Sequence, residues 1–335
     1  MDAGFKIGIE LELLLRPIRR SKNEFKDLED FAQFIVAHCN AARRPAPRMY
    51  NDVDGIYEGP NTTTEWSLTD DATIKTDEDD QLSPILRYHA QSTWRDQVRL
   101  VFKAIRLVCE VTSNRSCGVH VHISPPGESS WSLGTLKSLC RSIFYFEGAI
   151  EALVQPQRRS NEYTANNRRD NSLLKGKSIT TCLNLVNRCN HPSEIADLMN
   201  DGGARYFSWN FTNLYYGGLA TVEFRQAPGA IDETMCIPWV EFVVSFVHGS
   251  KMTSSYRDLL QYSRDVEGLR RFLTRHEVSG FKRSLLDHIF RGKSGFVVPQ
   301  AVRTLSEEER TALWAKMEEG RKRNLMMMKL GLKPR

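Results

Sequence analysis

The sequence predicts an α+β fold in which helices cover one face of an antiparallel β-sheet. Three observations predict it. First, three short stretches alternate between apolar and charged residues: Ile9-Glu10-Leu11-Glu12-Leu13, Val119-His120-Val121-His122-Ile123 and Val222-Glu223-Phe224-Arg225. Alternation with a period of two makes a strand with one apolar and one polar face. Second, apolar residues elsewhere recur at helical spacing, as in Val98, Val101, Phe102, Ile105 and Val108. Third, Tyr216-Gly217-Gly218-Leu219 reads as a hairpin turn between two strand patterns, and such turns join antiparallel strands.

The elements follow in order. Residues 5–14 form the first strand, which Arg16-Pro17 ends, and residues 23–40 turn helical. Residues 41–61 carry prolines and short polar turns and are expected to be loop. Residues 65–68 are a short strand, and the acidic run Asp77-Glu78-Asp79-Asp80 precedes Leu82-Ser83-Pro84. A helix over 94–111 leads to the histidine strand 118–124, closed by Pro125-Pro126. Ser132 caps an apolar helix reaching Val154. Residues 155–177 are basic, rich in asparagine and poor in apolar residues, which predicts a long mobile loop and a candidate lid. Residues 180–185 read as a strand, and Ser193 caps a short helix to Met199 that Gly202-Gly203 stops. Strands over 205–214 and 221–226 flank the hairpin turn. Pro238 opens a long helix to about Tyr256, with shorter helices over 266–275 and 282–290. Ser306 and Glu309 make a capping box for a last helix to about Leu330.

At 335 residues, 41% of them hydrophobic, the chain can bury a sizeable core. Its net charge of +5 is spread along the chain, which argues against a nucleic-acid partner. The seven cysteines are odd in number and include no C-x-x-C pair, so neither a zinc ribbon nor a disulfide framework is expected. The N-terminus runs straight into strand pattern without a charged-then-apolar leader. No stretch reaches the ~18 apolar residues of a membrane span. The expectation is a soluble, cytoplasmic protein with no membrane partner.

The charged strand faces carry the chemistry. If the three strands share one sheet, like charges crowd on one surface, and clustered carboxylates without a cation are costly. A divalent metal relieves that cost. Oxygen ligands with an occasional imidazole suit magnesium or manganese better than zinc. Asp71 and Asp80 can add oxygens. Arg225 then suits a phosphate or carboxylate, which a guanidinium grips with two parallel hydrogen bonds. There is no G-x-x-x-x-G-K-[ST] loop, so a nucleotide would be held by metals and side chains.

These residues resemble the carboxylate–amine ligases related to glutamine synthetase and glutamate–cysteine ligase, and within them the compact amidoligase family. The resemblance rests on ordered motifs from Gly4 to about Val247. They are Gly8-Ile9-Glu10-Leu11-Glu12, Trp66 followed by Asp71, Asp80-Gln81-Leu82-Ser83-Pro84, the stretch from Asn114 to Ser124, Arg205 to Asn210, and Thr221-Val222-Glu223-Phe224-Arg225. It implies a glutamine synthetase-like catalytic fold, a curved antiparallel sheet with its site on the concave face. It also implies a catalytic domain over residues 1–290 and a C-terminal helical extension over 291–335.

The resemblance implies residue roles as well. Glu10, Glu12, Asp80, His120 and Glu223 would bind two or more magnesium or manganese ions. His122 and Ser124 would contact ATP phosphates, with His122 and Arg225 taking part in catalysis. Arg225 would steady the transferred phosphoryl group, and Arg205 and Asn210 would contact phosphate or substrate. The implied reaction joins a small-molecule or peptide carboxylate to an amine through an acyl-phosphate, in a chain that is compatible with a homo-oligomer. Two positions depart from the pattern. Asp80 stands where the family has Glu, and Arg115 replaces a small glycine near the glutamine synthetase substrate, which favours a carboxylate other than glutamate. The same acids and histidines also suit a metal-dependent amide hydrolase, or a binding scaffold that kept the fold and lost catalysis.

Overall fold

Strand alternation builds the sheet from its centre outward. The structure, a computed structural model, describes residues 4–18, 24–41, 48–53, 65–70, 74, 84–90, 93–126, 130–159, 163–216, 220–276 and 283–298. The strands described are β1 (Lys6–Glu12), β2 (Leu14–Pro17), β3 (Arg48–Asn51), β4 (Glu65–Asp70), β5 (Pro84–Ala90), β6 (Cys109–Thr112), β7 (Gly118–Ser124), β8 (Trp209–Asn210) and β9 (Val222–Pro228). The α-helices among the described residues are α1 (Leu28–Ala41), α2 (Trp94–Ile105), α3 (Leu133–Leu153), α4 (Ile179–Arg188), α5 (Pro192–Met199), α6 (Glu233–Lys251), α7 (Tyr256–Leu259), α8 (Val266–Arg275) and α9 (Arg283–Phe290).

Seven of the described strands form one sheet in the order β3-β4-β5-β1-β7-β9-β8, antiparallel except between β3 and β4. The remaining two, β2 and β6, pair separately. Ile7, Ile9 and Leu11 of β1 and Val119, Val121 and Ile123 of β7 are buried on one face. Helices α3 and α6 lie in the same core and are buried around most of their circumference, so they are sandwiched rather than half-exposed. Phe224 of β9 meets Trp239 and Phe242 of α6, with ring centroids 6.1 and 5.9 Å apart. Phe146, Phe246 and Phe272 carry the same packing outward to α8. Among the described residues, no helix is long and apolar enough to cross a membrane.

Several expected elements differ. Residues 180–185 are helical, within α4. Their β-branched residues favour a strand, but the Ser178 hydroxyl accepts from the Thr181 N–H at 3.1 Å, and Cys182, Leu183 and Val186 bury one helical stripe. Helix α6 begins five residues before Pro238, because Asp232 caps it by accepting from the Met235 N–H at 2.9 Å. The proline then removes one hydrogen bond near the start of a well-anchored helix. The short helix α5 is capped by His191 rather than Ser193. Helix α2 stops at Ile105, and Cys109–Thr112 turns into β6. The supposed loop 41–61 contains β3.

The described part of the stretch 155–177 is loop as expected, with one short helical turn over Pro156–Arg158, and it is anchored to the core. Residues 155–157, 172–173 and 175–177 are exposed, but Asn166, Asn167, Asn171 and Leu174 are buried and anchor the stretch, Asn171 and Leu174 completely. Asn167 donates to the Met199 and Trp209 carbonyls at 3.1 and 2.7 Å and accepts from the Trp209 N–H at 2.9 Å. It thereby serves Trp209 as a neighbouring strand would. The expected strand over 205–214 shrinks to Trp209–Asn210 for the same reason. Asn200 accepts from the Phe211 N–H at 2.7 Å, and Asn210 from the Thr212 N–H at 2.9 Å, so side chains take the backbone groups a ladder would use. The hairpin turn at Gly217-Gly218-Leu219, the acidic run at Asp77–Asp80 and the capping box at Ser306 lie outside the described residues.

Candidate metal and anion site

The sheet register brings the charged residues together on the face opposite the helices. Glu10 lies across from Arg87 on one side and His120 on the other. In the next row, His122 lies across from Gly8 and Glu223, and Glu223 across from Asn210. Glu12 follows Glu10 on the same face of β1. Ser124 ends β7 opposite Lys6.

Two carboxylates and one imidazole meet at the centre. His120 Nδ1 is 3.1 Å from Glu10 Oε2 and 3.4 Å from Glu223 Oε1. One ligand atom from each of the three lies within 4.8 Å of the others. Magnesium sits ~2.1 Å from its ligands, so neighbouring ligands of an octahedral ion stand ~3 Å apart. The three residues therefore fit a small oxygen-preferring cation. Glu12 Oε1 is 3.5 Å from His120 Nε2, on the far side of the imidazole. Its carboxylate is buried. His122 Nε2 is 3.2 Å from Glu10 Oε1 and 3.7 Å from Glu223 Oε1, yet it is buried without an aligned hydrogen bond. A buried ring nitrogen left in that state suits a bound group arriving between the same carboxylates.

Both carboxylates stay ionised. Burial pushes Glu223 up, but Arg225, His122 and His120 outweigh it and hold the carboxyl at about 2. Burial also pushes Glu10 up, and Arg87 with the two histidines holds it well below the usual carboxylate range. His122 is lowered by burial and raised more strongly by Glu223 and Glu10, so its net movement is upward. The cluster is thus balanced by cations already present in the fold.

Arg225 contributes one of those cations. Its Nη1 donates to Glu223 Oε1 at 2.6 Å, and its Nε is buried without an aligned partner. Two guanidiniums lie near the Tyr206 ring, with Arg205 Cζ 5.2 Å and Arg225 Cζ 5.7 Å from its centroid. Arg205 itself is exposed. Asn210 donates to Glu223 Oε2 at 2.8 Å, which fixes the carboxylate from the side opposite Arg225.

A β-bulge aims Arg225. Val119 pairs with Ala227 but Val121 with Phe224, so β9 carries one extra residue opposite His120. Bulges redirect side chains and leave backbone groups without ladder partners. Arg158 supplies those partners. Its Nη2 donates to the Arg225 and Ala227 carbonyls at 2.8 and 3.1 Å, and its Nε to the Gln226 carbonyl at 3.5 Å. The guanidinium passes over Gly118, where a Cβ would lie 2.8 Å from Arg158 Nη2 and 3.1 Å from Glu12 Oε2. Gly118 is therefore what lets Arg158 reach the bulge.

The structure joins Glu10, Glu12, His120, His122, Glu223, Arg225 and Asn210 in one cluster. Asp71 and Asp80 lie outside the described residues. Two participants were missed. Arg87 alternates with the apolar Leu86 on β5, a signal masked by the preceding acidic run and Pro84. Arg158 has no local signature, because its partners are carbonyls more than sixty residues away.

The family described as "Putative amidoligase enzyme" matches residues 4–247. No curated protein matches the chain.

Proposed function

The chain belongs to the amidoligase family, and from that premise we propose that it forms an amide bond between a carboxylate and an amine at the expense of ATP. The observation that carries this reading is the meeting of Glu10, His120 and Glu223 on one sheet face, flanked by Arg87 and Arg225. Such a face brings cation ligands and anion-binding guanidiniums within a few ångströms of each other, as transfer between two anions requires. The reading includes a glutamine synthetase-like arrangement of the sheet, with the site on its concave face.

Glu10, His120 and Glu223, with Glu12 beside them, would hold magnesium or manganese, and Asp80 belongs to the set on its sequence pattern. When bound, the ions neutralise phosphate charge during in-line transfer. A carboxylate oxygen attacks the γ-phosphorus of ATP and the bond to the bridging oxygen breaks, releasing ADP. The amine nitrogen then attacks the acyl carbon, the carbon–oxygen bond breaks, and phosphate leaves as the nitrogen gives up a proton. Arg225 neutralises the transferring group. His122 and Ser124 orient nucleotide phosphates, Asn210 holds Glu223 in place, and Arg205 offers a further cation at the rim. The stretch 155–177 would help keep water from the intermediate. Partners are small carboxylates and amines in the cytoplasm, and the chain works alone or as a homo-oligomer.

Purified protein should bind ATP only with magnesium or manganese, and release ADP when supplied with mixed carboxylates and amines. Glu10→Gln and Glu223→Gln should abolish release while leaving the circular-dichroism spectrum unchanged. Full ADP release by either variant refutes the metal assignment. Amide cleavage without nucleotide would instead assign a hydrolase.

A further inference from the structure

The polar face extends beyond the metal candidates. On its β3–β5 side, Tyr50, Ser67, Arg87 and Glu10 follow one another directly across four strands, with His120 next. Arg87 Nε lies 3.1 Å from Glu10 Oε1 but is buried without an aligned hydrogen bond. The side chain as a whole is 31% exposed. Ser67 is its neighbour on β4 and is buried, while Trp66 and Leu68 turn to the core. Arg87 is therefore a partly exposed side chain whose Nε faces a candidate metal ligand.

We propose that Arg87, with Ser67 beside it, grips a carboxylate of the acid substrate, and that a divalent cation at Glu10 makes the grip available. This rests on the ligase reading and adds the residue that recognises the acid. The argument is one of charge. Without the metal, the guanidinium is the largest of the positive influences that offset the partly buried Glu10, ahead of the two histidines. A metal ion takes over that task and leaves Arg87 in a crowded positive field beside it. An anion relieves that field, and a carboxylate matches the planar fork with two parallel hydrogen bonds. Arg225 is less suited to this role. It is 8% exposed and lies on the other side of the cluster, tied to Glu223 at 2.6 Å. The acid is thus held on the β3–β5 side while transfer takes place toward β9. Metal and acid should bind with positive coupling, and the coupling must be reciprocal.

The test follows the Arg87 Nε–Hε signal by NMR in the ¹⁵N-labelled full chain, identified by its loss in Arg87→Lys. Succinate is the probe, and Mn²⁺ binding is followed separately by electron paramagnetic resonance. Magnesium alone should move the signal, and succinate should bind about tenfold more tightly with magnesium than without it. Arg87→Gln should erase this dependence while Mn²⁺ still binds. If Mn²⁺ binds but succinate leaves the signal unmoved, or binds Arg87→Gln equally well, the proposal is overturned. A response to inorganic phosphate at lower concentration than to succinate overturns the carboxylate assignment. If wild-type protein takes no Mn²⁺, the metal reading fails first and this inference with it.

Discussion

Arg225→Gln is the most informative single perturbation. Glu223 is 3% exposed, and Arg225 Nη1 is 2.6 Å from its Oε1. Burial disfavours the charged carboxylate, yet its environment holds it at about 2 against an ordinary 4.5. That difference corresponds to about 3 kcal/mol in favour of the ionised form. Arg225 is the largest favourable contributor, and removing one member of a buried pair typically costs about 3–5 kcal/mol. In chelator at neutral pH, the variant should therefore lose about 3 kcal/mol of unfolding free energy, read from urea denaturation. Magnesium should restore much of this, because an ion at Glu10, His120 and Glu223 replaces the missing positive charge. Its stabilisation follows RT ln(1 + [L]/Kd) and should be larger in the variant than in the wild type, where the guanidinium competes for Glu223. The acid limb adds a check on sign. A depressed carboxyl stabilises fully above pH 4.5 and loses that contribution as pH falls through about 2, so the variant should show a shallower loss across that window. Equal destabilisation with and without magnesium would refute the view that Glu223 faces a cation site.

Two further outcomes test the scaffold behind the site. Gly118→Ala places a methyl 2.8 Å from Arg158 Nη2 and should cost about 1–3 kcal/mol by denaturation, with weakened Mn²⁺ binding because the bulge and Glu12 shift together. Arg158→Lys should weaken Mn²⁺ binding similarly, since one ammonium cannot span three carbonyls. Glu151 is 1% exposed, and burial pushes its carboxyl up to about 7 despite a 2.7 Å hydrogen bond from Gln226. Between pH 4.5 and 7 the folded chain keeps a proton that the unfolded chain has released, so stability falls as pH rises. The loss amounts to about 3 kcal/mol in all. Glu151→Gln should remove that slope and be the more stable protein above pH 7, and an unchanged pH profile would count against the assignment.

How much could be read in advance depended on how local each signal was. The faces of β1, β7 and β9 were legible because period-two alternation is written in neighbouring residues. It placed Glu10 with Glu12, His120 with His122, and Glu223 with Arg225, each pair on one face of its own strand, and the sheet then joined the three faces. Arg87 obeys the same rule, but a Pro84 start and an acidic run hid the strand. The asparagines of 155–177 marked a loop correctly and misled only about its anchoring. Asparagine is common in loops because its amide imitates backbone groups, and here Asn167 uses that ability inside the protein, bonding Trp209 as a strand would. Composition alone does not distinguish the two uses. The β-branched start of α4 misled similarly, where a serine cap and a buried stripe outweighed intrinsic preference.

The sequence by itself determined which residues are charged, which face of each strand they occupy, and the family to which residues 4–247 belong. The tertiary structure alone decided what those charges meet. The register sets His120 between Glu10 and Glu223, and puts Arg87 across from Glu10. One extra residue in β9 presents Arg225 beside Glu223, with Arg158 holding the bulge open over Gly118. Alternation fixes direction, since each side chain's face depends on its own chain. Coulomb interactions depend on distance between strands far apart in sequence, and only the closed sheet sets that distance.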